Sequence, residues 1–219
     1  MTIIPILMIM LLSALTFLFY NYGQINVLFM LLIILSVIPF YFRYENRKPK
    51  AREVVVLAIM IALIVSSRVL FMLTPSFKPM CAMIIICAFV FGKEAGFLCG
   101  SLSAIISNIF FGQGPWTPYQ MLALGLIGFI AGYFVDKPII QNKLFLLVFG
   151  ILSGIFYSLL MDIWGVLSIE TFLLSRYIAM VISSIPTTII YCISNVIFLW
   201  TLTPYLIKKL NRVKIKYDF

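Results

Sequence analysis

Residues 43–52 read Arg43-Tyr44-Glu45-Asn46-Arg47-Lys48-Pro49-Lys50-Ala51-Arg52, and five of these ten are basic. This is the strongly hydrophilic segment of a chain that is otherwise a succession of apolar runs. Upstream, an apolar stretch at residues 3 to 20 is followed by the short connection Asn21-Tyr22-Gly23-Gln24 and a second apolar run from Ile25 to about Phe42. No basic region precedes the first stretch and no small-residue cleavage site follows it, so it is expected to be a retained span rather than a signal peptide. Residues 1–42 therefore read as an accessory helical hairpin, and 43–52 as a basic linker to the main body.

Downstream, six further spans are expected at roughly 53 to 73, 79 to 92, 94 to 111, 118 to 135, 143 to 165 and 176 to 207, followed by a basic tail at 211–219. The second is short for a crossing, which is allowed where the adjoining loop is buried in protein or lines a cavity. Composition agrees with this layout. Of the 219 residues, 63% are apolar and 11% charged, against about 45–50% and 25% in soluble domains. At about 20 residues per crossing, eight spans leave only short connections. The fold class expected is all-α, a polytopic membrane protein of eight spans.

The sixteen Lys and Arg residues set the orientation, since cytoplasmic connections retain positive charge. With the 43–52 linker inside, thirteen of the sixteen are cytoplasmic, and only Arg68, Lys78 and Arg176 fall outside. Both termini are then expected in the cytoplasm. The net charge of +9 is thus a sidedness signal, and nucleic acid is not an expected partner. The four cysteines, Cys81, Cys87, Cys99 and Cys192, lie in apolar stretches without a CxxC pair, which suggests neither disulfides nor a metal site. Histidine is absent, removing the commonest general base and metal ligand. No catalytic residue and no cofactor is expected.

Small residues recur four apart at Ala58/Ala62, Gly92/Gly96/Gly100, Gly128/Gly132 and Gly150/Gly154. Such spacing lets helix backbones approach in lipid, and packing within the bundle is its ordinary use. Polar and aromatic residues instead gather at the outer end: Arg68, Phe77, Lys78, Asn108, Gln113, Trp116, Thr117, Tyr119, Gln120, Asp162, Trp164 and Tyr177. This mixture suits an amphiphilic small molecule, with aromatic faces for area and polar groups for orientation. An interfacial aromatic belt has the same composition. Arg68 and Asp162 are predicted in or at the end of apolar spans, where an unpaired charge costs about 2.5–3.5 kcal/mol. Each should face a partner or a wet cavity, and they are candidates to pair with each other.

Two outer loops carry prolines: Thr74-Pro75-Ser76-Phe77-Lys78-Pro79, and Phe111-Gly112-Gln113-Gly114-Pro115-Trp116-Thr117-Pro118-Tyr119-Gln120. Glycine and proline together should define the second loop's backbone, and the two loops are expected to meet above a pocket.

From Ala51 to about Lys209 the chain resembles the substrate-binding S-components of energy-coupling factor (ECF) transporters, the ABC importers that capture vitamins. The resemblance is carried by Ala58-Ile59-Met60-Ile61-Ala62, Pro75-Ser76-Phe77-Lys78-Pro79, Phe91-Gly92-Lys93-Glu94-Ala95-Gly96-Phe97 and the 110–118 loop, in that order across six spans. It implies a six-helix core at 53–210, with Ala58 and Ala62 docking on a shared transmembrane coupling subunit. Two partner ATPase subunits would then power translocation, and the vitamin would sit near the outer surface under the loops at 74–79, 111–118 and 165–175. It also implies a multi-pass location in the bacterial cytoplasmic membrane. The accessory hairpin departs from a minimal core and must leave Ala58 uncovered.

The 113–118 loop is similar to S-components associated with corrinoid (cobalamin or precursor) uptake, whereas riboflavin or a queuosine-type base would suit a tryptophan-lined pocket equally. Cys81 offers a soft ligand to cobalt, although free cysteine is far more often simply buried. An intramembrane enzyme or a structural membrane protein is the rival class, but the spans hold no histidine and no paired acids.

Overall fold

The structure, a computed structural model, describes residues 25–169 and 172–217, with side chains from residue 31 onward. The expected first span at 3 to 20 and its turn lie outside the described residues. Seven α-helices follow: α1 (Ile25–Asn46), α2 (Ala51–Leu70), α3 (Met80–Phe91), α4 (Lys93–Phe111), α5 (Thr117–Ala131), α6 (Lys143–Ile169) and α7 (Leu174–Tyr217). Two 3-10 turns, Gly132–Phe134 and Pro138–Gln141, connect α5 to α6. The helices occupy the second to eighth expected spans, and the described residues contain no strand. Five segments, α2, α4, Thr117–Phe134, α6 and α7, have the length and apolarity to cross a membrane.

The short helix α3 is the hub. Its sequence Met-Cys-Ala-Met-Ile-Ile-Ile-Cys-Ala-Phe-Val-Phe carries no charged residue, and all but Cys81 are buried. A helix apolar on every side belongs in an interior, and α2, α4, α5 and α7 pack around it. Its 12 residues rise about 18 Å, less than the hydrocarbon thickness of about 30 Å. Surrounded by protein, α3 has no need to span lipid alone.

The glycine stripes do their work inside the bundle. A Cβ on Gly128 would run into the backbone carbonyl of Gly96, and one on Gly100 into that of Leu124, so α4 and α5 touch backbone to backbone. Gly150 and Gly154 admit Val196, Leu199 and Cys192 of α7 in the same way. Ala58 and Ala62 differ: both are exposed on α2, in a smooth apolar strip with Val55, Ile59 and Leu63.

Two hydrophilic stretches are more ordered than the sequence suggests. α1 continues to Asn46, which shortens the expected 43–52 linker to the four residues 47–50. Arg47 forms an ion pair with Glu53 and donates to the Phe91 carbonyl at 3.1 Å, while Arg43 lies 3.5 Å from Glu94. The basic residues thus staple the end of α1 to the start of α2, the end of α3 and the start of α4. Likewise the expected tail is the end of α7, helical to Tyr217, because no breaker follows Pro204 and Lys, Arg and Leu favour helix. Lys214 fastens it to Asp136 and to the Val90 carbonyl, each at 3.1 Å.

Helix α1 lies on α4 and α5. Phe40 stacks on Phe97 with centroids 3.9 Å apart, and the Tyr41 hydroxyl meets Ser101 at 3.0 Å. The described arm of the accessory hairpin therefore leaves the Ala58/Ala62 strip open.

Candidate ligand-binding cavity

A cavity opens below the 71–79 connection, lined by Arg68, Ser76, Lys78, Met80, Cys81, Gln120, Leu124, Gly154, Tyr157, Tyr191 and Asn195. Its volume is about 110 Å³. Five helices and one loop contribute, which is why no single motif announces the site.

Arg68, at the end of α2, is anchored from the side. Its guanidinium donates to Ser107 Oγ at 2.5 Å and Asn108 Oδ1 at 2.8 Å, both on α4. Asn108 is fully buried and passes the connection to α5, donating through Nδ2 to Thr117 Oγ1 at 3.0 Å and Gln120 Oε1 at 2.8 Å. Thr117 donates in turn to Gln113 Oε1 at 3.1 Å, and Gln113 Nε2 donates to the Ile105 carbonyl at 2.7 Å. A charge and three amides are thereby satisfied without an acid, as burial requires.

Lys78 is held through its backbone. Its N–H donates to Ser194 Oγ, and the same hydroxyl donates to its carbonyl, each at 2.9 Å. Thr74 closes the connection on itself by reaching the Phe71 and Phe77 carbonyls at 2.9 and 2.8 Å. The turn places Ser76 at φ 61°, a left-handed conformation that a non-glycine residue adopts only when its surroundings enforce it. The side chain of Lys78 meets the Phe111 ring, with Nζ 5.5 Å from the centroid, and Arg68 Cζ lies 4.5 Å from the same centroid. Burial, and then the charge of Arg68, hold the Lys78 ammonium below the usual lysine value.

Of the residues expected at the site, Arg68, Lys78 and Gln120 line this cavity, and Asn108, Gln113 and Thr117 form the network behind it. Others face elsewhere. Phe77 packs in a ring cluster with Phe71 and Phe198, at 6.2 and 5.2 Å. Trp116 folds onto Gly114, where a Cβ would strike the indole, so the tryptophan is a clasp of its own loop. Tyr119 and Trp164 face each other across α5 and α6 at 5.3 Å. The Tyr177 hydroxyl donates to the Leu159 carbonyl at 3.2 Å.

Arg68 and Asp162 do not pair. Asp162 accepts from Ser184 Oγ at 2.8 Å and lies in a separate apolar groove between α6 and α7. Arg68 has the neutral acceptors Ser107 and Asn108, and Asp162 has Ser184 as donor, so neither charge needs the other.

Among the lining residues that the sequence reading did not assign to the site are the polar Tyr157, Tyr191 and Asn195. The two tyrosine rings sit edge to face, 5.1 Å between centroids and 80° between planes. Asn195 reaches the Gly150 carbonyl at 3.3 Å and Ser153 at 3.4 Å. The one available signal was polarity in the middle of apolar spans, where a polar group must face a partner or a cavity; the sequence does not say which.

Residues 48–212 match the family model described as ECF-type riboflavin transporter, S component. No curated protein matches the chain at a significant level. The match covers three quarters of the chain and includes every residue that lines the cavity. With five segments suited to crossing a membrane, the molecule is a membrane transport subunit. The chain belongs to the family of ECF-type riboflavin transporter S components.

Proposed function

We propose that the chain captures a flavin in the cavity under the 71–79 connection and delivers it across the bacterial cytoplasmic membrane as part of an ECF module. The observation that carries this reading is the cavity itself: a tyrosine pair for a flat ring, Asn195 and Gln120 for the polar edge of a heterocycle, and two cations, Arg68 and Lys78, in the lining. The 113–118 loop, which prompted the corrinoid expectation, directs its polar groups into its own hydrogen bonds. The family description, which names riboflavin, points the same way.

Transport is then a division of labour. This chain supplies binding. The exposed Ala58/Ala62 strip of α2 offers a transmembrane coupling subunit a close, smooth contact of the kind small residues provide in lipid. Two partner ATPase subunits drive reorientation of the loaded bundle, and membrane lipid surrounds the rest.

The test is direct. Riboflavin is titrated into the purified chain in detergent while flavin fluorescence is followed. Stacking against Tyr157 and Tyr191 should quench it with saturation, and Asn195→Leu should weaken the response. Absence of saturable quenching would exclude the flavin reading.

A further inference from the structure

Arg68 and Lys78 reach the cavity from two different elements, and none of the residues lining it is acidic. Arg68 has neutral acceptors in Ser107 and Asn108, but among the described residues the Lys78 ammonium has no hydrogen-bond acceptor, only the face of Phe111. Two like charges held near one ring in a low-dielectric pocket repel each other. The depressed proton affinity of Lys78 is consistent with that arrangement. Three other described cations pair with acids, Arg43 with Glu94, Arg47 with Glu53 and Lys214 with Asp136; what sets Arg68 and Lys78 apart is that both line one cavity.

The geometry points to an oxyanion on the ligand, a phosphate monoester, seated between Arg68 and Lys78 while the ring system of the same ligand lies against Tyr157 and Tyr191. Arg68 is suited to the task because Ser107 and Asn108 fix its planar fork, which matches phosphate geometry. Lys78 contributes a mobile point charge with free donors. The ligand's negative charge would supply what the lining lacks. The identity of the ring rests on the flavin reading above, whereas the anion seat rests on the two cations alone. Applied to flavins, the site should take riboflavin 5′-phosphate in preference to riboflavin.

The experiment titrates both flavins into the purified full chain and, in parallel, measures thermal denaturation with inorganic phosphate alone. The phosphate ester should bind about ten-fold tighter than riboflavin, as one added charge-assisted contact would give. In Lys78→Gln the two affinities should converge. Equal affinities in the unmodified chain overturn the proposal. So does a preference that survives in Lys78→Gln, which is what a general positive field at the lipid headgroups would produce. If neither flavin binds, the flavin reading fails, and the anion seat is decided by inorganic phosphate. A rise in melting temperature seen in the unmodified chain and lost in Lys78→Gln sustains it; no rise overturns it.

Discussion

Ser194 Oγ grips both sides of Lys78, accepting from its N–H and donating to its carbonyl at 2.9 Å each. One hydroxyl on α7 thereby sets the position of a connection more than a hundred residues earlier in the chain. Removing it in Ser194→Ala leaves two backbone groups to find other partners, at about 1–3 kcal/mol. The expected outcome is faster amide hydrogen exchange over residues 71–79 and roughly ten-fold weaker ligand binding, with helix content unchanged. Exchange confined to its original rate would show that the connection holds without Ser194.

Asn108 is the joint through which Arg68 is anchored to α5. In Asn108→Leu the guanidinium loses an acceptor at 2.8 Å, and Thr117 and Gln120 lose a donor. Hydrogen bonds to charged groups contribute about 1.5–3 kcal/mol, so thermal stability in detergent should fall by about that much. Replacing Arg68 as well, in the Arg68→Met/Asn108→Leu double variant, removes the orphaned charge and should recover part of the loss. A double variant less stable than the single one would show that Arg68 is held by something other than this network.

These two relationships also mark the boundary of what the sequence could reveal. The apolar runs located α1 to α6 and the start of α7 to within a few residues, because 20-residue hydrophobic segments have few alternatives in lipid, whereas α7 runs on to Tyr217, well past the expected end at 207. Arg68, Lys78 and Gln120 were legible as polar residues at one end of the bundle. Tyr157, Tyr191 and Asn195 were not, since each looks like packing until the helices are assembled and their faces converge. Trp116 misled for the opposite reason: a tryptophan between prolines reads as a binding platform, yet it covers its own Gly114. The order in residues 43–52 and 211–217 was hidden because charge runs are usually solvated, and here Glu53, Glu94 and Asp136 capture Arg47, Arg43 and Lys214.

Glycine and alanine motifs of equal spacing should respond differently to enlargement. Gly128→Ala forces a methyl against the Gly96 carbonyl, and α4 must separate from α5. Overpacking of this kind costs about 1–3 kcal/mol, so the melting temperature of the isolated protein should drop. Ala58→Trp and Ala62→Trp add bulk to an exposed strip and should leave that temperature and ligand binding intact.

Uptake separates the two roles further. In cells expressing the complete module, Ala58→Trp or Ala62→Trp should abolish accumulation of the ligand, because a bulky side chain holds the coupling subunit away from α2. Wild-type uptake by both variants would remove the docking role of this strip.

Affinity for a phosphate ester should have two pH limits. Its second proton dissociates near pH 6, at about the value seen for protein phosphate groups, so binding strengthens as pH rises through that point and the dianion forms. Lys78 sets the alkaline limit: its ammonium deprotonates below the usual 10.5, and affinity falls as pH rises through that lowered value. The other charged or titratable groups facing the cavity are Arg68, Cys81, Tyr157 and Tyr191. Arg68 stays charged throughout, and Tyr157→Phe and Tyr191→Phe separate any contribution of the phenols. Riboflavin measured in parallel cancels the titration of the flavin ring. In Lys78→Arg the guanidinium stays protonated, so the alkaline decline should vanish while the acid limit near pH 6 remains. A decline that persists in Lys78→Arg would assign the alkaline limit to a group other than Lys78.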